Sequence, residues 1–270
     1  MTTTKSYIVG PVNTGKTRSL LTLLPEYEDE AGKVRKGAGL ETFFLTMEPN
    51  YRAAIRSHGC KQGLHVYYHS PAPPSWGTVK KFVELLRYKS VSDVITMADP
   101  KKGDYHQFWK LFGICEDFVC QECGESFGDV AEWDESRALF FDGLSPLSRI
   151  VMEAMIGGKP VSSKPEYFAA QGFLMAFMRL LYEATHCSVI CTAHGAREVD
   201  PNSGLTVFTL DTIGQRLTPE LIKLPEEIIL TQRSRSGFTW STVVDETIQL
   251  KRSRLPESNS LEPDFAQIFR

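Results

Sequence analysis

Residues 10 to 17 read Gly-Pro-Val-Asn-Thr-Gly-Lys-Thr, the pattern G-x-x-x-x-G-K-T, and they directly follow the short apolar run Tyr7-Ile8-Val9. A buried strand feeding such a loop is a phosphate-binding P-loop, and it constrains the whole chain to an α/β architecture. A loop that wraps a triphosphate turns its backbone N–H groups inward, so Gly10 and Gly15 stand where a side chain would block close approach. Pro11, Val12, Asn13, Thr14 and Arg18 complete the candidate nucleotide cradle. Lys16 is placed to reach the β- and γ-phosphates, and the Thr17 hydroxyl to ligate Mg²⁺. A helix expected over Arg18–Leu24, stopped by Pro25, aims its positive end at the phosphates.

Further apolar runs supply the rest of a sheet. Thr42 to Met47 reads as a buried strand ending at Glu48-Pro49-Asn50, with a short helix from Tyr51 to Arg56 closing at Gly59. Leu64 to Tyr68 is a third strand. Ala138-Leu139-Phe140-Phe141 runs into Asp142, a Walker B pattern in which a strand-end carboxylate holds the Mg²⁺ shell beside Thr17. Tyr167 to Glu183 carries apolar residues at helical spacing. Ser188 to Ala193 is another strand and ends at His194. Gly195 to Gly214 reads as a polar loop or hairpin, Glu227 to Leu230 resumes the sheet, and Phe238–Val244 and Glu246–Leu250 read as late strands. Glu26 to Lys36 reads as a solvated excursion. Strands alternating with helical segments predict one α/β domain over residues 1–270 with a mainly parallel central sheet flanked by helices, an inserted helical and loop segment at about 70–135, and a C-terminal tail at about 256–270.

Bulk properties narrow the function classes. A net charge of −3, from 30 basic and 33 acidic residues, excludes a global basic field of the kind that drives strong electrostatic DNA binding. No apolar run approaches the ~18 residues of a membrane span, so a soluble, cytosolic protein with no membrane association is expected. Six cysteines at 60, 115, 120, 123, 187 and 191 are too sparse for a disulfide framework. Cys115-x4-Cys120-x2-Cys123 has spacing that suits Zn²⁺, with His106 or an acid as a fourth ligand. Free thiols are the alternative, because no second CxxC or HxxxH pair completes the set.

The order of these motifs resembles the RecA-like P-loop ATPases. More narrowly it resembles the phage-encoded Sak-type proteins, AAA-type phage nucleotide-binding proteins with a reduced RecA core implicated in single-strand annealing and recombination. The similarity runs from about Tyr7 to Phe265 and is carried by the P-loop, the Phe44–Asn50, Phe141–Ser145 and Thr192–His194 strand ends, and the Leu250–Pro256 segment; residues 70–135 match poorly. The resemblance implies that Glu48, at the end of the strand next to the P-loop strand, is the catalytic glutamate that polarises the attacking water; a helix cap is the plainer reading. It implies that His194 senses the γ-phosphate; a satisfied surface group at a strand end is the alternative. By the same resemblance Ile150–Glu166 and Gly195–Gly214 correspond to two mobile DNA-facing loops, with Lys159, Lys164, Arg197 and Arg216 in or just beside them as candidate phosphate contacts; solvated polar loops are the alternative. Lys251, Arg252 and Arg254 parallel basic residues projected into a neighbour's ATP site, which requires a ring or filament; a solvated charge run is the alternative.

The expectation is a Mg²⁺-dependent ATP hydrolase that binds single-stranded DNA, forms a homo-oligomer and promotes annealing or recombination, beside a single-strand-binding protein and in the host cytoplasm if phage-encoded. The alternative is a nucleotide-gated assembly or adaptor protein, or a motor subunit in phage DNA replication or packaging.

Overall fold

The computed structural model of the chain describes residues 3–29, 31–56, 58–70, 80, 83, 84, 87, 106–157, 162–199, 204, 206–214, 217–234, 237–244 and 250–269. Its strands are β1 (Lys5–Val9), β2 (Glu26–Glu28), β3 (Val34–Lys36), β4 (Glu41–Thr46), β5 (Leu64–Tyr68), β6 (Arg137–Asp142), β7 (Ser188–Ala193), β8 (Gly195–Val199), β9 (Thr206–Leu210), β10 (Glu227–Ser234) and β11 (Gly237–Ser241). Seven of them form one sheet in the order β11-β10-β1-β7-β6-β4-β5. Every neighbouring pair in it is parallel except β10 with β11. The chain is therefore of the α/β class, with a mostly parallel central sheet.

The composition of these strands explains the parallel arrangement. Phe43-Phe44-Leu45, Leu139-Phe140-Phe141 and Val189-Ile190-Cys191 are apolar at every position and fully buried, as strands covered on both faces must be. Successive side chains alternate between two cores. Tyr7, Val9, Phe43, Leu45, Leu139 and Phe141 face one of them, which is closed by helices α2 (Gln107–Glu116), α3 (Leu144–Ile156) and α4 (Lys164–Arg179). Ile8, Phe44, Phe140 and Ile190 face the other, closed by helix α1 (Tyr51–Ile55), by Leu20 to Leu24 and by the chain's last residues.

Several elements differ from the sequence-based expectation. The segment after Lys16 is a seven-residue 3₁₀ helix, Thr17–Leu23, instead of an α-helix over Arg18–Leu24. Ser19 and Thr22 donate their hydroxyls to the carbonyls three residues back, Lys16 at 2.6 Å and Ser19 at 2.8 Å, and that local bonding accompanies the tighter winding. The excursion at Glu26–Lys36 is a small antiparallel hairpin of β2 and β3. Most of the loop expected at Ile150–Glu166 is helical, because Leu147, Ile150, Val151 and Ala154 form the buried stripe of α3 and Lys164 already opens α4; residues 158–161 lie outside the described residues. Gly195–Gly214 does not differ: it contains the antiparallel hairpin β8–β9, one of the two forms expected there. Of the strand expected at Glu246–Leu250, residues 246–249 lie outside the described residues, and Lys251 makes a single antiparallel bridge to Ile228.

Residues 71–79, 81, 82, 85, 86 and 88–105 of the expected insertion also lie outside the described residues. The part from 106 to 135 packs onto the fold: Trp133 lies 4.1 Å and Phe127 4.8 Å from Phe43, ring centre to ring centre. The tail is equally integrated. Phe265 is fully buried against Trp240, and its N–H donates to Thr22 Oγ1 at 2.8 Å.

Candidate functional site

The carboxyl ends of β1, β4, β6 and β7 lie together at one end of the sheet, the edge at which parallel α/β sheets form their ligand crevices. Lys16, Thr17, Glu48, Asp142, His194 and Arg233 all line one cavity there, of about 510 Å³. The residues from Val12 to Arg18 line the same cavity.

The two loop glycines answer to the protein before any ligand. A Cβ on Gly10 would sit 2.3 Å from Thr231 Oγ1 and 2.7 Å from the Thr231 carbonyl, since β1 and β10 run side by side at that point. Gly15 has φ of +85°, and a Cβ there would meet the Phe238 ring at 2.9 Å. Asn13 also has a positive φ of 61°, a conformation asparagine tolerates better than most residues. These requirements hold the loop in a curl. Lys16 lies inside it, donating from Nζ to the carbonyls of Gly10 at 2.8 Å and Pro11 at 2.6 Å. Burial lowers the affinity of this ammonium for its proton, while Asp142 and Glu48 act in the opposite sense.

Asp142 is the polar hub. Its carboxylate accepts from Thr17 Oγ1 at 2.8 Å and Thr192 Oγ1 at 2.5 Å, and more distantly from Thr46 Oγ1 at 3.5 Å. Burial pushes the Asp142 carboxyl up, opposed by the Thr192 and Thr17 hydrogen bonds that favour the charged form. A hydroxyl and a carboxylate in contact are hard oxygen donors of the kind that suits Mg²⁺, so the donor set fits that ion. Thr192 reaches Asp142 because β7 stands between β1 and β6.

Glu48 is not a helix cap. The N-cap of α1 is Asn50, and no side chain caps that helix. The Glu48 carboxylate instead meets His194, with Oε1 3.8 Å from Nε2. That contact, followed by the charge of Lys16, holds the Glu48 carboxyl below the usual carboxylate range. The expected position next to the glycine-loop strand is corrected: β7 and β6 both stand between β1 and β4. Glu48 nevertheless reaches the cavity, because it extends two residues beyond its strand.

His194 occupies the junction between β7 and the β8–β9 hairpin. Its N–H donates to Ser145 Oγ at 3.3 Å, Ser145 Oγ donates to the Asp211 carbonyl at 2.7 Å, and the Asp211 N–H donates back to the His194 carbonyl at 2.9 Å. Both ends of the hairpin are thereby tied to the cavity wall.

The remaining expected residues are dispersed. Arg197 is exposed on β8 and lines a groove of about 630 Å³ with Phe208, Thr231 and Arg233. Lys164 is an exposed first residue of α4, and Lys159 and Arg216 lie outside the described residues. Lys251 and Arg254 sit at the amino ends of β1 and β10, opposite the cavity of their own chain. Lys251 Nζ donates to the Pro225 carbonyl at 2.5 Å, and Arg254 Nη2 donates to the Thr3 carbonyl at 2.8 Å and approaches Glu226 at 3.4 Å. Arg252 pairs with Glu257 at 2.7 Å. Sequence reasoning missed Arg233 and Phe238, which stack with guanidinium to ring centre 5.6 Å apart on the cavity wall. The basic end of a strand running beside β1 was the available signal.

The cysteine expectation is also corrected. Cys115 is buried within α2 among core side chains, with burial first among the causes that push its thiol up to about 12, and neither it nor His106 joins a ligand cluster. Cys120 and Cys123 instead converge with Cys60 and His65, a Cys/His/Cys/Cys set able to hold a metal ion. Among the described residues no helix is long and apolar enough to cross a membrane. Comparison with known proteins finds no matching family and no matching curated protein.

Proposed function

We propose that the chain is a RecA-like P-loop NTPase, a Mg²⁺-dependent ATP hydrolase that binds single-stranded DNA and oligomerises to promote annealing or recombination. The observation that carries this reading is the convergence of Lys16, the Thr17–Asp142 pair and the Glu48–His194 pair on one cavity at the carboxyl end of a parallel sheet. Lys16 and the backbone N–H groups of the Gly10–Thr17 loop would bind the β- and γ-phosphates, and Thr17 and Asp142 would hold Mg²⁺, which supplies charge neutralisation on the phosphate oxygens. Glu48 would orient the attacking water and take its proton, kept ionised for that task by His194.

The DNA part of the proposal rests on the β8–β9 hairpin. It carries Arg197 and Phe208, a cation and an aromatic ring suited to a phosphate and a base, on a groove beside the cavity. His194 joins the hairpin to the cavity, so a change at the γ-phosphate has a bonded route to the DNA-facing groove. Lys251 and Arg254 would serve a neighbouring subunit's site, since their placement turns them away from their own.

The test is ATP turnover by the purified chain with Mg²⁺, with and without single-stranded DNA. Turnover that rises several-fold with DNA, and loses that rise as salt increases, is expected for phosphate contacts. Nucleotide binding with no turnover in either condition would replace this reading with that of a nucleotide-gated adaptor.

A further inference from the structure

The cysteine and histidine cluster lies at the amino end of β4 and β5, the opposite end of the sheet from the nucleotide cavity. Cys60 precedes β5, His65 lies within it, and Cys120 and Cys123 come from the turn that follows α2. Cys60 Sγ is 3.6 Å from Cys120 Sγ, and Cys123 Sγ is 3.8 Å from His65 Nδ1. All four ligand atoms lie within 4.8 Å of one another. A tetrahedral Zn²⁺ with Zn–S near 2.3 Å and Zn–N near 2.0 Å spaces its ligand atoms by roughly 3.5–3.8 Å, so the cluster is already close to the size of the site. A disulfide between Cys60 and Cys120 would need the sulfurs at about 2.05 Å.

The surroundings are those of a metal knuckle. The Glu122 N–H points at Cys120 Sγ at 3.4 Å, and the Gly124 N–H donates to the Cys120 carbonyl at 2.9 Å, with Gly124 at φ of +75° closing the turn. His65 directs Nε2 at Glu41 Oε1 at 3.4 Å, which leaves Nδ1 facing the cysteines; Glu41 is itself fixed by Arg137 Nε at 2.9 Å. A carboxylate on the far nitrogen is the usual partner of a metal-bound histidine. The turn is also docked on β5, with Gln121 N–H donating to the Val66 carbonyl at 2.9 Å and Gln121 Oε1 accepting from the Tyr68 N–H at 2.9 Å.

We infer that Cys60, His65, Cys120 and Cys123 bind one structural Zn²⁺, which staples the Cys120–Cys123 turn to the edge of the sheet. Binding releases the three thiol protons and leaves Cys₃His with a fully closed coordination sphere. The ion holds architecture only; it lies at the sheet end away from Lys16 and Asp142.

The test is titration of the metal-free, fully reduced full-length chain with Co²⁺. One equivalent should produce a thiolate-to-cobalt charge-transfer band and the intense visible bands of a tetrahedral site, and Zn²⁺ should bleach both. Cys123→Ser, at an exposed position, should weaken binding tenfold or more, whereas Cys115→Ser should titrate like the wild type. Absence of the charge-transfer band with Co²⁺ in excess would overturn the proposal. So would a folded Cys123→Ser chain that binds with unchanged affinity. If Cys123→Ser does not fold, the wild-type spectrum decides alone. Lys16→Ala should leave the titration unchanged, which separates this site from the nucleotide reading.

Discussion

Lys16→Ala is expected to abolish ATP turnover and to lower affinity for Mg²⁺–ATP by about 10²-fold or more. Charge-assisted hydrogen bonds contribute about 1.5–3 kcal/mol each, and this ammonium would place its donors on two phosphate groups. Lys16 donates to the Gly10 and Pro11 carbonyls from within the loop. Transfer of those donors to phosphate oxygens would require a side-chain swing and no rebuilding of the loop. The variant should fold, because the curl is fixed by Gly10 against Thr231, by the positive φ of Gly15 and by the Thr14–Thr231 hydroxyl pair at 2.6 Å. Equilibrium binding and phosphate release, with a melting curve as control, measure this. A folded variant with wild-type turnover would remove Lys16, and with it the loop, from the chemistry.

Glu48→Gln should leave nucleotide affinity within a few-fold and slow turnover by ~10²-fold or more, the scale of a lost general base. Thermal stability should barely move, since the carboxylate caps no helix and is nearly half exposed. The pH dependence gives a second readout with a definite sign. His194 holds the Glu48 carboxyl low, so the base stays ionised and the acid limb of the wild-type rate profile falls below the ordinary carboxylate range. His194→Ala removes the leading cause of that depression and should move the limb upward, toward the ordinary value. An acid limb that stays in place in His194→Ala, or Glu48→Gln turnover equal to wild type, would assign the water-orienting role elsewhere.

Much of this arrangement was readable from residue order. Apolar runs ending in a chemically informative residue located β1 with its glycine loop, β4 with Glu48, β6 with Asp142 and β7 with His194. In a parallel sheet such residues share one edge, so their convergence followed from strand direction. Strand order was not readable: nothing local places β7 between β1 and β6, yet that placement joins Thr192 to Asp142 and separates Glu48 from the loop strand. The metal ligands were half visible for the same reason. Cys120 and Cys123 announce a knuckle by spacing, but Cys60 and His65 become their partners only through docking of the turn on β5. Cys115 suits the same spacing and is carried into the core by the periodicity of α2. Helical stripes in 144–156 and 164–179 likewise outweighed the loop expected between Ile150 and Glu166.

The proposed nucleotide site consists of the Gly10–Thr17 loop and the residues facing it. The most direct measurement is a structure of the chain with Mg²⁺ and a non-hydrolysable ATP analogue. The β- and γ-phosphates should lie inside the curl, with Lys16 Nζ turned from the Gly10 and Pro11 carbonyls onto them and the metal beside Thr17 and Asp142. An analogue seated away from this loop, or absent at saturating concentration while Lys16 keeps its contacts to Gly10 and Pro11, would contradict the proposed site.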